Sequence, residues 1–456
     1  MATQPEIVMK DVTFTATDIR SCSVVEDFHP LSITVPVNTL DLTLFSTTGG
    51  FTIINPSGVY EPLLTRQPMA VYEIIDGTRH FIGKFYMDEW ENSGENLISF
   101  TCVDVLGLLD KTNYMGGLWM DPIKAGLILD DIFRKTGLDV IIDPQVYNTE
   151  LTGWLPILSC REAVQQVCFA AGAYVRSSRQ DTIKIGVMGF VTMRSAGIRS
   201  GVAAAGQSRT YQMRWRGNTI SSLAGTGIAT TGIRSGVANA GQSRVYQKRW
   251  RKSQWEGTEY TREISSQEQS IDRKLTLRPK VTGVEVSMHD IIPGDGERKL
   301  FEGVLSAGSH TIEFRQPMHT LDVDGADIIE SHANYAVLNV ATPGEVVLTG
   351  LVYDDMISTY VVSMTLTPNE KPNVVKIEDA TLVNSSNGHE IAQKMFDYYQ
   401  QRYLQNMRMF GSTISAGNNV RVETLYGNLL YGVVEHAEID LAGGSIVKSD
   451  VVGVIV

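Results

Sequence analysis

Short runs in which apolar side chains recur at every second position, each closed by a tight turn, set the first limit on this chain. Period two puts alternate side chains on opposite faces of a strand, so such runs predict half-buried strands. Met69–Ile75 is one run, Asp76-Gly77 is a two-residue hairpin signal, and Phe81–Trp90 returns from it. Leu31–Val37, Leu40–Phe45 and Leu97–Val103 alternate in the same way. Further along, Thr282–Met288, Thr311–Phe314, Tyr335–Val340, Glu345–Leu351 and Tyr360–Thr367 read as strands, with Pro293-Gly294-Asp295-Gly296 as a turn. Val420–Leu425, Leu429–Val434, Ala437–Leu441 and Val451–Val456 complete the set. A chain of 456 residues is too long for one core, so the strands are expected to fall into several domains.

Helical spacing interrupts this pattern three times. Asp121-Pro122 reads as an N-cap followed by proline in the first turn of a helix over Ile123–Thr136, which Gly137 ends. Ile123, Leu127, Ile128 and Ile132 form its apolar stripe. Ser159 and Glu162 have the spacing of a capping box, opening a second helix that stops at Gly172. Tyr174–Arg176 and Thr182–Ile185 then predict a hairpin. A longer helix of about twenty residues, some 30 Å, is expected from a cap at Ser386 or Asn387, through Ile391 and Met395, to Gln405.

The centre of the chain is unlike either flank. GIRSGVAAAGQSRTYQMRWR from Gly197 returns as GIRSGVANAGQSRVYQKRWR from Gly232, with seventeen of twenty positions identical. Residues 194–252 hold eleven Lys and Arg and no acid, so the remainder carries −23 against −12 for the whole chain. Each copy ends in period two, Tyr211, Met213 and Trp215 against Gln212, Arg214 and Arg216, then Tyr246, Lys248 and Trp250 against Gln247, Arg249 and Arg251. A glycine-rich loop leading into an amphipathic strand fits that pattern, and two copies are too few for a solenoid. Trp, Tyr and Arg dominate interface hot spots. Tyr211, Arg214, Trp215, Arg216, Tyr246, Arg249, Trp250 and Arg251 are therefore the candidate assembly contact, with both tryptophans expected to be buried. Rings among guanidinium groups also suit single-stranded nucleic acid, but the acidic flanks would repel such a polymer.

Signatures of catalysis are absent. His389-Glu390 lacks a histidine at position 393, so the zinc-protease helix fails. Asp322, Asp324 and Asp327 around Gly325 lack the glycine placement and terminal Glu of a calcium loop, and read as a turn. Gly225, Gly227 and Gly232 are not followed by the Lys-Ser or Lys-Thr of a phosphate loop. Asp88 with Glu89, and Asp354 with Asp355, are the nearest approach to paired carboxylates. Cys22, Cys102, Cys160 and Cys168 have no metal spacing and are expected to be buried free thiols. No catalytic, cofactor-binding or metal-binding residue is assigned, and no cofactor is expected. The start, MATQPEIVMKD, shows no secretion signal, and no apolar run is long enough for a membrane span.

Two stretches carry a family likeness. FIGKFYMDEWENSGENLISFTCVDVLGLLDK, from Phe81, resembles the first tube-like domain of phage tail hub proteins in its strand, turn, strand and aspartate-led helix. NVVKIEDATLVNSSNGHEIAQKMFDYYQQRY, from Asn373, resembles the second, with Tyr398, Tyr399 and Arg402 in place of that family's Tyr-Tyr-x-x-Arg helix. The resemblance implies an α+β, mainly β protein with two tail-tube-like β-barrel domains at the chain ends. The expected division is a first tube-like domain over 1–112, a small α/β domain over 113–192 and the duplicated element over 193–252. A β-rich domain over 253–370 and a second tube-like domain over 371–456 follow. It also implies a non-enzymatic virion protein, a homotrimeric hub of the tail tip or baseplate, assembled in the host cytoplasm. Its partners would be the tail tube or a distal ring protein, a spike or central fibre, a tape measure protein, and DNA in passage during ejection. The duplicated element is a departure from the family pattern, so its role does not transfer. A tail-associated cell-wall hydrolase and a nucleic-acid-binding module are the competing classes.

Overall fold

A computed structural model describes residues 3–10, 12–45, 67–94, 96–179, 182–187 and 262–455. Strands dominate them, with a few helices, so the protein is α+β and mainly β. Its largest element is a 13-stranded sheet built from both ends of the chain. On the N-terminal side, Ile19–Asp27, Thr39–Phe45, Leu97–Val103, Thr78–Gly94, Pro68–Ile75, Thr3–Met9 and Val12–Phe14 lie in that order. On the C-terminal side, Leu429–Asp440, Ile446–Ile455, Tyr403–Phe410 and Lys274–Leu277 follow one another, while Asn419–Glu423 and Arg262–Ile264 branch from Leu429–Asp440. The halves join where Leu429–Asp440 runs antiparallel to Ile19–Asp27, from His436 opposite Asp27 to Asp440 opposite Ser23. One apolar core serves both, including Val24, Leu42, Phe100 and Met87 from one half and Val434, Ile439, Val447 and Val451 from the other. Asp76 and Gly77 both take positive φ, 46° and 83°, the mirror-image turn that Asp-Gly favours between twisted strands.

The α/β unit lies over a second core. Ala125–Thr136 and Cys160–Ala170 pack beside a three-stranded sheet of Val140–Ile142, Thr182–Val187 and Ala173–Ser178. The capping box forms as read, since the Ser159 side chain accepts from the Glu162 backbone and Glu162 accepts from that of Ser159. Cys160 and Cys168 both lie on this helix's buried face, and all four cysteines are free and buried. The same core takes in Ile391, Ala392 and Met395 of a third helix, Gly388–Tyr399, and Val284 and Val286 of a long strand.

That strand, Gly283–Leu305, pairs antiparallel with Gly344–Ser363 along its length, a ribbon of 23 residues on one side, about 75 Å at ~3.3 Å per residue. Its base packs into the α/β core. Its far end joins a small β unit in which Phe314, Met318, Ala336, Leu338, Val340, Val346 and Leu348 are buried together.

Five sequence readings need correction. Leu31–Val37 is no strand, because Pro30 and Pro36 remove donors, Leu31 has φ 49°, and the Val35 carbonyl accepts from Arg161 instead. Asp121 and Pro122 lie in the strand Gly117–Lys124, opposite a register shift between Leu151 and Gly153, where a missing N–H costs nothing. The helix begins at Ala125 without a side-chain cap, and Leu127 faces solvent rather than the apolar stripe. Pro293–Gly296 does not reverse the chain. It is a bulge within the ribbon, between Pro293 opposite Tyr353 and Glu297 opposite Leu351. A Cβ on Gly294 would come 2.6 Å from Asp354 and 2.7 Å from the Val352 carbonyl, so only glycine fits the approach. The third helix stops at Tyr399, because Tyr403 is taken into the sheet opposite Leu277 and Gly453. Leu429–Val434 and Ala437–Leu441 are one strand, Leu429–Asp440, with a bulge between Val434 and His436.

Candidate assembly site

The candidate contact read from the repeats, Tyr211, Arg214, Trp215, Arg216, Tyr246, Arg249, Trp250 and Arg251, lies outside the described residues. What the structure brings together instead is a set of polar residues where the two halves of the large sheet meet. His436 and Asp27 are register partners across that seam, with Nδ1 2.7 Å from Oδ1. The hydrogen bond to Asp27 raises the pKa of His436, with help from the charges of Asp27, Asp450 and Glu438 and against partial burial.

Next to it, buried Glu26 receives both Nε and Nη2 of Arg179, at 2.8 and 3.0 Å, and the Ala416 backbone N–H at 3.2 Å. The same guanidinium donates to the carbonyls of Ser412 and Ile414. One side chain of the α/β unit therefore ties the N-terminal half to the C-terminal half. Glu73, fully buried on Pro68–Ile75, accepts from the backbone and hydroxyl of Ser412.

The Tyr398, Tyr399 and Arg402 set converges on this seam from the third helix. Tyr398 donates to Glu435, which also receives two nitrogens of Arg278, while Arg402 Nε donates to the Arg278 carbonyl at 3.0 Å. Burial and then Glu435 push the phenols of Tyr398 and Tyr399 up. These residues hold helix to sheet, and nothing in their arrangement is chemically reactive.

Candidate chemistry elsewhere is occupied or shielded. His289 has Asp355 at 2.7 Å from Nδ1 and the Glu378 carbonyl at 3.1 Å from Nε2, so neither nitrogen is left to activate a nucleophile. Burial pushes the thiol of Cys22 up to about 12 and those of Cys102 and Cys168 higher, the reverse of an activated cysteine. Among the described residues no three His, Cys, Asp or Glu are grouped to hold a metal. Gly325, between Asp322–Asp324 and Asp327, has φ 85° and lies against the Glu345 carbonyl, as a turn requires.

Two surface features remain. One is the outer strand Lys274–Leu277 at an end of the large sheet, where Leu277 and its register partner Tyr403 are both exposed and Phe410 is 75% exposed. The other is a cavity of about 850 Å³ between the α/β unit and the ribbon's β unit. Asn334 locks its walls together, with Nδ2 donating to the carbonyls of Met115 and Leu155, both at 2.8 Å, and Oδ1 accepting from Trp154 Nε1 at 2.6 Å. The sequence could not reveal either feature, since each joins segments more than a hundred residues apart.

No protein-family model matches the sequence, and no curated protein does. Solved structures do. A tail protein from Neisseria meningitidis MC58 superposes with a TM-score of 0.52 at 9% identity, over 99% of this chain and 97% of that one. The 43 kDa tail protein of prophage MuSo2 from Shewanella oneidensis gives 0.47 at 10% identity, over 99% of this chain and 98% of the other. Prophage tail protein gp18 from Listeria monocytogenes EGD-e gives 0.45 at 7% identity, over 98% and 94%. In its described residues the chain thus has the fold of the Neisseria tail protein.

Proposed function

We propose that this chain is a non-enzymatic structural protein of a phage-type tail, acting as a trimeric hub at the tail tip or baseplate. The observation that carries the reading is the likeness to the Neisseria tail protein, over 99% of this chain and 97% of that one. The large sheet supports it, because its N-terminal and C-terminal halves, joined side by side, would supply two ring segments per chain, and three chains would then supply six. The outer strand Lys274–Leu277, with Leu277 exposed beside Tyr403 of the next strand, is the kind of edge that pairs with a neighbour. The ribbon and its β unit project a surface for a spike, fibre or ring partner, and DNA would pass through the closed ring.

Antibody labelling of tailed particles tests this directly. Gold should mark one end of the tail, and the purified protein or its tail complex should contain three chains of 50.2 kDa. Label along the whole tail, or protein found only apart from particles, would overturn the hub reading. A lytic band on a peptidoglycan gel would overturn the non-enzymatic part alone.

A further inference from the structure

The cavity between the α/β unit and the ribbon's β unit is used by nothing in the proposed assembly. Its volume, about 850 Å³, falls within the range of small-molecule sites, and such sites favour domain boundaries. It is also preformed. Asn334 fixes the two walls through three hydrogen bonds, and a Cβ on Gly116 would come 2.0 Å from the Leu155 carbonyl and 2.5 Å from Asn334.

Rings line it in pairs. His319 and Tyr353 lie 4.6 Å apart at 56°, His332 and Tyr335 stack at 4.4 Å and 24°, and Trp119 lines the cavity as well. Thr320, also in the lining, has φ 49°, a left-handed conformation that a β-branched residue rarely takes. Its hydroxyl lies 2.9 Å from His319 Nδ1, while Nε2 faces the Gly294 carbonyl at 3.1 Å. A carbonyl only accepts, so Nε2 carries the proton and the Thr320 hydroxyl donates to Nδ1 in the neutral ring. The oxygen lone pairs of Thr320 are thereby left to receive a ligand's hydroxyl. Strain of this kind gathers at ligand clamps.

Charge completes the picture. Asp131 is spent on Tyr114, at 3.1 Å, and on Arg134, at 2.9 Å. Lys135 forms no ion pair among the described residues, so the mouth keeps an unanswered cation in a chain of net −12. A lipid would waste the polar rim, and a nucleic acid would call for a run of cations. Flat ring faces, the Thr320 hydroxyl and a lysine with no ion pair among the described residues together match a sugar ring bearing an acidic group.

We propose that this cavity binds a short acidic saccharide, its ring faces against Tyr353 and Trp119 and its carboxylate toward Lys135. The proposal does not depend on the hub reading. Calorimetric titration of the full chain with tetragalacturonate tests it, beside neutral maltotetraose and a hexaglutamate peptide. Tetragalacturonate should bind more tightly than maltotetraose, and Lys135→Glu and His332→Ala should each weaken it at least about tenfold. Both residues are exposed, so an unchanged melting curve will certify the variants' fold. No heat with tetragalacturonate, affinity untouched by either substitution, or hexaglutamate binding as tightly as the sugar would each overturn the proposal. The last outcome would assign the cavity to an acidic peptide.

Discussion

Two titratable residues give the fold a pH dependence of one sign. His436 has a raised pKa because Asp27 bonds to it. Its stabilisation is therefore complete below the unfolded value of 6.5 and fades as pH rises through the higher folded value. Burial raises Asp104 to about 7 against the hydrogen bonds it accepts as the cap of Val105–Leu108. A folded state that prefers protonated Asp104 loses stability as pH climbs from the unfolded value of 3.8 toward 7. Both groups thus make the protein more stable at pH 5 than at pH 8. Asn caps as well as Asp, so Asp104→Asn should flatten most of that slope, by about 2–3 kcal/mol between the two pH values at ~1.4 kcal/mol per pKa unit. His436 is partly exposed, so Asp27→Asn should remove less than about 1 kcal/mol. Urea midpoints at the two pH values decide, and an unchanged slope in Asp104→Asn would show that the carboxyl is not held neutral. None of this was legible in the sequence, where Asp104 is one acid among many and His436 a solitary histidine.

At the scale of elements, what could be read was what is local. The Asp76-Gly77 turn and the Ser159–Glu162 box need only neighbours in sequence to form, and they stand where the sequence puts them. What could not be read was decided by distant partners. Pro293–Gly296 has every mark of a turn, yet the pairing of Pro293 with Tyr353 and of Glu297 with Leu351 keeps it in the ribbon as a bulge. Ser386 to Gln405 has helical composition, but the edge offered by Ile446–Ile455 claims the last residues as strand. The ribbon's outer β unit has its own buried cluster, distinct from the core at the base. Leu338→Ala should therefore cost about 2–5 kcal/mol and speed hydrogen exchange across Tyr335–Val340, while amides of Leu429–Asp440 keep their protection. Faster exchange in both would mean that the unit does not open alone.

For the whole molecule, the question is what makes two halves one body. The seam strands Ile19–Asp27 and Leu429–Asp440 lie about four hundred residues apart in sequence, and each half has its own strand pattern. The structure runs a single core beneath both and pins the seam with Arg179, a residue of neither half. Arg179→Met would leave Glu26 buried without its partner, and the expected cost is about 3–5 kcal/mol. Glu26→Gln together with Arg179→Met should recover part of it, since no bare charge then remains. Chemical unfolding of the single and double variants checks this, and a single variant within about 1 kcal/mol of the parent would show that the apolar core alone carries the seam.

The seam also sets a clock. Asp27 meets His436 across 409 residues of chain. At translation rates of about 5–20 residues per second, the strand Ile19–Asp27 waits roughly 20–80 s on the ribosome before its neighbour exists. Through that interval it holds Thr39–Phe45 on one side and nothing of its own chain on the other. An open strand edge of this kind templates pairing with whatever extended chain is near. A message broken after the Gly388–Tyr399 helix would therefore yield a product with an unmet edge, prone to aggregate, and not merely a shorter protein.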